Sequence, residues 1–180
     1  ISNPGTGHPP AFRSGRAGIA QTQMILLFIG DRQMNKLFFF AITSIFLCSP
    51  CFVKAETVTV DPNGFHDYTT IQKAIDNSFD GDIIKVRPGT YYENINFYGL
   101  AITVTGINPD VMGTVYSTVI NGGMSGNTVT FDSGENSSSV LTGITVENGG
   151  TGIYCYYSDP TISKCVVRYS KTGSGINCSS

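Results

Sequence analysis

Four tyrosines near the end of the sequence are the side chains whose type and spacing best suit contact with a ligand. They are Tyr154, Tyr156, Tyr157 and Tyr169. Alternate side chains of a strand point to opposite faces, so Tyr154 and Tyr156 point outward if Ile153 and Cys155 point inward. Exposed aromatic rings on a flat β-surface can stack on sugar rings. The pattern predicts carbohydrate contacts, and the alternative is that these rings only cover neighbouring turns.

Acidic and basic side chains near these tyrosines are of the types that polyuronate lyases use. The acids are Asp132, Glu135, Glu147 and Asp159, and the bases are Lys164, Arg168 and Lys171. Such a lyase needs an Arg or Lys base to remove the proton next to a carboxylate, and a calcium ion held by carboxylates. No spacing in the sequence ties these residues together. Solvated turn positions are therefore the default interpretation, no catalytic residue is assigned, and no cofactor other than this calcium is indicated.

Three cysteines lie in the same region, at Cys155, Cys165 and Cys178. If Cys155 and Cys178 occupy adjacent strands, about 4.8 Å apart, a disulfide can bridge them. In the strand alternation both side chains point inward, which favours the alternative, a column of buried thiols, because free cysteine behaves as a small hydrophobic residue. No CxxC pair occurs among residues 56–180, so we expect no structural metal site there.

The segments that carry these residues are repeated. Asn121-Gly122-Gly123 returns 27 residues later as Asn148-Gly149-Gly150, and Gly152-Ile153-Tyr154-Cys155 returns 23 residues later as Gly175-Ile176-Asn177-Cys178. A third alignment, at an offset of 21, joins Leu141, Ile144 and Val146 to Ile162, Cys165 and Val167. Repeat periods in the twenties predict a solenoid.

Short runs of alternating apolar residues favour a parallel β-helix over a leucine-rich horseshoe, and we expect no helix inside a repeat. We predict an all-β fold, a right-handed parallel β-helix in which inward side chains of successive coils form columns. One predicted interior column holds Val129, Ile153 and Ile176, and its neighbour holds Phe131, Cys155 and Cys178.

The sequence also predicts a short helix that caps the first coil. Ile71, Ala74, Ile75 and Phe79 fall on one helical face. The hydroxyl of Thr69 or Thr70 can cap the helix N-terminus. Such a helix would cover the unpaired strands at the open end of the stack.

The run from Asp80 to Ile95, DGDIIKVRPGTYYENI, resembles the entry segment of pectin lyase-like β-helix proteins. The segment from Gly152 to Cys165 resembles the tandem right-handed β-helix repeats of secreted bacterial proteins. The resemblance covers about residues 57–180 and stops within a repeat, so we expect an N-terminal fragment of the domain. It implies an enzyme of the polysaccharide lyase, hydrolase or pectinesterase type, if the protein is an enzyme. The esterase motifs are absent, so no catalytic residue of the family is carried over.

Residues 34–55 have the three-part plan of a secretory signal peptide. Met34-Asn35-Lys36 gives a positive start, Leu37 to Leu47 is almost entirely apolar, and Val53 and Ala55 precede the predicted cleavage before Glu56. The apolar run is shorter than the ~20 residues of a membrane-spanning helix, which makes an uncleaved anchor the weaker alternative. We interpret residues 1–33 as an upstream non-structural leader and 56–180 as the β-helix. The protein is expected to be secreted or held at the cell surface, with membrane contact only through the signal segment.

Charge excludes some partners. The formal net charge is −2, and the part after Ala55 carries six Lys and Arg against twelve Asp and Glu, a balance of −6. This balance provides no basic surface for nucleic acid or for anionic lipid. Two functions remain open: binding of, or action on, extracellular polysaccharide, and a non-catalytic cell-surface or adhesive solenoid. Fold alone does not choose between them, because function resides in grafted sites.

Overall fold

The computed structural model describes residues 54–171 and 174–180 of the chain. Within this part, residues Lys54–Ser180 form one compact unit. The predicted leader at 1–33 lies outside the described residues, as does the predicted signal peptide apart from Lys54 and Ala55.

The described strands form three sheets, and every strand pair is parallel. The first sheet contains, in order, β1 (Thr57–Val60), β2 (Ile83–Val86), β5 (Thr103–Gly106), β8 (Val140–Thr142) and β11 (Thr161–Ser163). The second contains β3 (Gly89–Tyr92), β6 (Thr118–Asn121), β9 (Thr145–Glu147) and β12 (Val166–Arg168). The third contains β4 (Ile95–Asn96), β7 (Asn127–Phe131), β10 (Thr151–Tyr156) and β13 (Ile176–Ser179).

From β2 onward the chain visits the first, second and third sheets in turn and then repeats the circuit. Each strand therefore pairs with its equivalent one coil away, and the result is a β-solenoid of about five turns. This arrangement confirms the predicted all-β parallel β-helix. It also explains the repeat offsets, because each offset is the length of one coil.

Inward side chains of successive coils form one apolar column along each sheet. In the first sheet, Val58, Ile84, Val104, Leu141 and Ile162 follow one another in register. The second sheet aligns Tyr91, Ile120, Val146 and Val167, and the third aligns Ile95, Val129, Ile153 and Ile176. Each fully buried aliphatic side chain contributes about 1.5–3 kcal/mol, so these columns hold the coils together.

The predicted interior residues of the third sheet are in register, but they are not all buried. Val129, Phe131 and Ile153 are inaccessible to solvent, and Cys155 is 2% exposed. Ile176 is 51% exposed and Cys178 is also exposed, although both are in register with Ile153 and Cys155 in the predicted columns. The reason is that β13 is an edge strand with a neighbour on one side only.

Helix α1 (Ile71–Asp76) covers the first coil and buries Ile71, Ala74 and Ile75, as the sequence predicts. Its cap differs from the prediction. The N-cap residue Thr70 makes no side-chain capping bond. Instead the carboxylate of Glu93 accepts hydrogen bonds from the backbone N–H groups of Ile71 at 2.8 Å and Gln72 at 2.9 Å.

Two further contacts refine this cap. The Gln72 amide exchanges two hydrogen bonds with the backbone of Asn96, so it occupies the free edge of β4. The sequence places Phe79 on the buried helix face, but this side chain is 44% exposed because the helix ends before it, at Asp76.

A second helix, α2 (Met112–Ser117), lies between β5 and β6, contrary to the expectation that no repeat contains a helix. Its Val115 is fully buried, and the carbonyl of Val115 accepts a hydrogen bond of 2.8 Å from the Thr145 hydroxyl. The coil formed by β5, β6 and β7 is the longest of the stack because it includes this insertion.

The repeated glycine at the start of β10 has a steric reason. A Cβ atom at Gly152 would lie 2.5 Å from the Gly175 carbonyl oxygen and 2.5 Å from a methyl group of Val167. The coils approach so closely here that only hydrogen fits at Gly152, whereas a Cβ atom at Gly175, its equivalent in the next repeat, would meet only a methyl group of Val167 at 3.6 Å.

Candidate functional site

Strand β10 places Tyr154 and Tyr156 on the outer face of the third sheet, because Ile153 and Cys155 point into the core. The two rings are nearly parallel, with centroids 6.3 Å apart and an interplanar angle of 7°. Tyr157 packs edge-on against Tyr156 at 4.5 Å and 78°. These three tyrosines, here called the aromatic cluster, form one continuous apolar surface.

The end of the aromatic cluster is held by the backbone. Tyr157 adopts a left-handed conformation with φ of 46°, and its N–H donates a 3.0 Å hydrogen bond to the Ser179 carbonyl. This fixed turn leaves Tyr157 65% exposed and Tyr156 43% exposed. Beside it lies an open pocket of about 470 Å³, lined by Tyr157, Ser158, Asp159 and residues 178–180.

Tyr169, the fourth predicted contact residue, lies in a different turn of the chain from the other three. It follows β12 in the turn between the second and third sheets, whereas the aromatic cluster occupies the second half of β10 and the turn after it. The Arg168 guanidinium carbon lies 5.2 Å from the centre of the Tyr169 ring, a cation–π geometry. The structure therefore brings together Tyr154, Tyr156 and Tyr157 and gives Tyr169 a separate setting.

The outer face of the third sheet beside the cluster carries uncharged polar side chains. Asn96, Thr130, Tyr154 and Asn177 occupy the same position in successive strands. Asp132 follows at the end of β7, where its carboxylate accepts hydrogen bonds from the Asn96 amide at 3.1 Å and the Ser133 hydroxyl at 3.3 Å. Such a surface offers both aromatic stacking and hydrogen-bonding groups.

A second polar group lies on the outer face of the second sheet, where Tyr92, Asn121, Glu147 and Arg168 follow in register. The Glu147 carboxylate accepts a bond of 2.8 Å from Arg168 and one of 3.2 Å from Asn121. The sequence itself carries a signal for this pair. The offset of 21 that aligns Val146 with Val167 also aligns Glu147 with Arg168.

Most of the candidate catalytic side chains are occupied in internal bonds. Glu135 is 2% exposed and accepts hydrogen bonds from the Gly99 and Ser133 N–H groups and from the Ser158 hydroxyl. Lys164 pairs with Asp110, and Glu147 pairs with Arg168. These contacts stabilise turns and adjacent coils.

Within the described residues, no group of three or more His, Cys, Asp and Glu side chains is arranged to hold a metal ion. None of the helices in this part is long and apolar enough to cross a membrane.

The described cysteines are present as free thiols. Cys155 and Cys178 are direct partners in neighbouring strands. Burial, followed by contact with Cys178, raises the pKa of the Cys155 thiol to about 12. Burial also raises the pKa of Cys165. A thiol that stays protonated is a poor nucleophile, so neither residue is suited to covalent catalysis at neutral pH.

Fold and surface together define a parallel β-solenoid with an aromatic cluster on one outer face. No protein-family model matches the sequence. No curated protein matches it either.

Proposed function

We propose that the protein is exported, is cleaved after Ala55, and binds extracellular polysaccharide on the outer face of the third sheet. The observation that carries the proposal is the aromatic cluster, in which Tyr154 is partly buried, Tyr156 is exposed and parallel to it, and Tyr157 is exposed and packs edge-on in the turn that follows. The resemblance of Asp80–Ile95 to the entry segment of pectin lyase-like proteins supports the same class of ligand.

Binding of polysaccharide follows from the shape and chemistry of this surface. An aromatic face contributes about 0.5–1.5 kcal/mol beyond the burial of its area when another flat apolar face stacks on it. The neighbouring amides and hydroxyls can bond the hydroxyl groups of a sugar that lies across the strands. Glu135 and Glu147 are bonded within the chain, and the proposal assigns a catalytic role to no residue.

The test is a binding assay with a panel of neutral and acidic polysaccharides, comparing the wild-type chain with a variant in which Tyr154, Tyr156 and Tyr157 are alanine. We expect binding to at least one polysaccharide, and a loss of affinity of tenfold or more in the triple variant. Tyr116→Ala is the matched control, because Tyr116 is 51% exposed but lies on α2, outside the cluster. Failure of every polysaccharide to bind, or equal affinity of the triple variant, would refute the proposal.

Export is tested separately by expressing the full chain in a secreting host and determining the N-terminal residue of the secreted product by mass spectrometry. We expect Glu56. Retention of the intact chain in the cell would contradict export and leave the binding result unaffected.

A non-catalytic adhesive or spacer solenoid is the second candidate. It is favoured by the ion pair of Glu147 with Arg168, which joins adjacent coils of the second sheet rather than facing a cleft. Adhesion of the purified chain to cells from which surface polysaccharide has been removed would support this candidate over the first.

A further inference from the structure

We propose that the outer face of the third sheet takes a neutral polysaccharide and discriminates against polyuronates. The inference rests on the proposed function and names the charge class of its ligand. It departs from the acidic substrates that the family resemblance suggests, and it is carried by the distribution of charge on this face.

The first observation is the uncharged column beside the aromatic cluster. Asn96, Thr130, Tyr154 and Asn177 align in successive strands and present amide, hydroxyl and phenol groups. These groups can donate to and accept from sugar hydroxyls, and none of them neutralises a carboxylate.

The second observation is the position of an acid at the edge of this surface. Phe131 pairs with Cys155, so Asp132, the next residue, is level with Tyr156 on the neighbouring strand. Asp132 is exposed. Its carboxylate can accept a hydrogen bond from a sugar hydroxyl, but it repels a uronate held against the adjacent ring.

The third observation is where the cations lie. None of the strands β4, β7, β10 and β13 contains Lys or Arg. Elsewhere in the described part, Arg87, Lys164 and Arg168 each pair with an acid of the same chain. Carboxylate ligands are typically bound by charge-assisted bonds from Arg or Lys, and this face supplies none from its strands.

The experiment uses three soluble neutral polysaccharides (a glucan, a xylan and a galactomannan), each paired with a partly oxidised form that carries carboxylates. Calorimetric titration of the full chain should show at least about tenfold tighter binding to a neutral polymer than to its oxidised form. Asp132→Asn should reduce the ratio of the two affinities, neutral over oxidised, severalfold. Asp110→Asn makes the same change of charge on the segment between the first and second sheets and should leave the ratio unchanged.

Each outcome decides one question. An oxidised polymer that binds as tightly as its neutral parent, or tighter, overturns the neutral assignment and leaves polysaccharide binding intact. An unchanged ratio in Asp132→Asn also overturns the argument from charge. If neither these polymers nor the wider panel binds, the proposed function and this inference both fail.

A different part of the molecule carries a second proposal, which rests on the proposed cleavage after Ala55: we propose that this cleavage creates an ion pair that stabilises the first coil. The backbone nitrogen of Glu56 donates a 2.7 Å hydrogen bond to Oδ1 of Asp82, and the Asp82 side chain is buried at 3% exposure. Cleavage converts this nitrogen from an amide into a charged ammonium group at the same place. A neutral hydrogen bond to a buried carboxylate then becomes a salt bridge.

The location gives this change a consequence for stability. The other oxygen of Asp82 accepts a hydrogen bond from the Phe79 N–H, and the Glu56 carbonyl accepts one from Ile83. Asp82 therefore connects the start of β1, the segment after α1 and the start of β2. Strengthening one of these bonds holds the first strand more firmly against the stack.

The test measures urea unfolding of the full chain before and after cleavage by signal peptidase. At pH 6, where an α-amino group is charged, cleavage should lower the unfolding constant roughly tenfold. An amino group that gains a carboxylate partner has a raised pKa, so this gain is present below about pH 8 and is lost as the pH rises through the folded-state value. In Asp82→Asn the gain should disappear. If that variant does not fold, the wild-type pH profile alone decides. Equal stability before and after cleavage at pH 6, or a gain that persists at high pH, overturns the proposal.

Discussion

Replacing Glu93 tests how the N-terminal cap of the solenoid is held. Its carboxylate accepts two short hydrogen bonds from the first N–H groups of α1, at 2.8 and 2.9 Å. These bonds cross from one coil to the helix that covers it, because Glu93 lies 22 residues after Ile71. Hydrogen bonds to a charged group contribute about 1.5–3 kcal/mol each. Since Glu93 is only partly buried, the lower end of that range applies.

Glu93→Ala should therefore destabilise the protein by about 3 kcal/mol and lower the Tm by about 10 °C. Glu93→Gln keeps the shape and one acceptor oxygen, so about half of that loss is expected. The matched control is Thr70→Ala. Thr70 is the N-cap residue, but its hydroxyl makes no capping bond, so a loss below about 0.5 kcal/mol is expected.

Urea unfolding followed by circular dichroism measures all three variants. A larger loss for Thr70→Ala than for Glu93→Ala would refute the reasoning and restore the hydroxyl cap that the sequence suggests. A loss below 0.5 kcal/mol for Glu93→Ala would show that water replaces the carboxylate at no cost.

Three further predictions concern the stacking of the coils. Gly152→Ala should destabilise the folded protein by about 2 kcal/mol, because the new methyl group would meet the next coil. The control is Gly113→Ala, where the methyl group has open space and should leave stability unchanged or slightly raised. Thermal unfolding of the two variants measures both effects. A double-mutant cycle on Glu147 and Arg168 should give a coupling energy of about 0.5–1 kcal/mol, because the arginine is partly exposed; a value near zero would contradict a stabilising pair. Because burial raises the pKa of Cys155 to about 12, the unfolded chain loses this thiol proton near pH ~8.5 while the folded chain keeps it. Stability should therefore fall as the pH rises from about 8 to 9.5, and the slope should be smaller in Cys155→Ala; equal slopes would contradict the shift.

The fold was predictable because it depends on a pattern that survives insertions. Inward residues such as Leu141 and Ile162 recur at the coil length, and their alternation identifies strands without any knowledge of turns. The helix between β5 and β6 was not predictable in this way. The segment 112–117 has no clear apolar face, and it is positioned by one buried residue, Val115, and a bond from the distant Thr145.

The candidate site was predictable only in part, for a related reason. The outward phase of Tyr154 and Tyr156 follows from the inward phase of their neighbours, and the structure shows both rings on one face. The guanidinium of Arg168 lies over the ring of its sequence neighbour Tyr169. The capping role of Glu93, in contrast, depends on which residues lie beside it one coil away. Such contacts require the register of the coils, and that register is fixed by turn lengths that the sequence pattern leaves open.

Once the register is known, a solenoid makes its surface unusually easy to interpret. The inward columns are constrained by packing, so a substitution of an inward side chain disturbs the packing of the next coil. The outward columns carry no such constraint, and Asn96, Thr130, Tyr154 and Asn177 are free to differ in size and chemistry while the strands beneath them keep the same spacing. A ligand that lies across the strands meets a new side chain at every step of about 4.8 Å. The charge and aromatic content of one outward column therefore set what this surface can bind, independently of the fold that presents it.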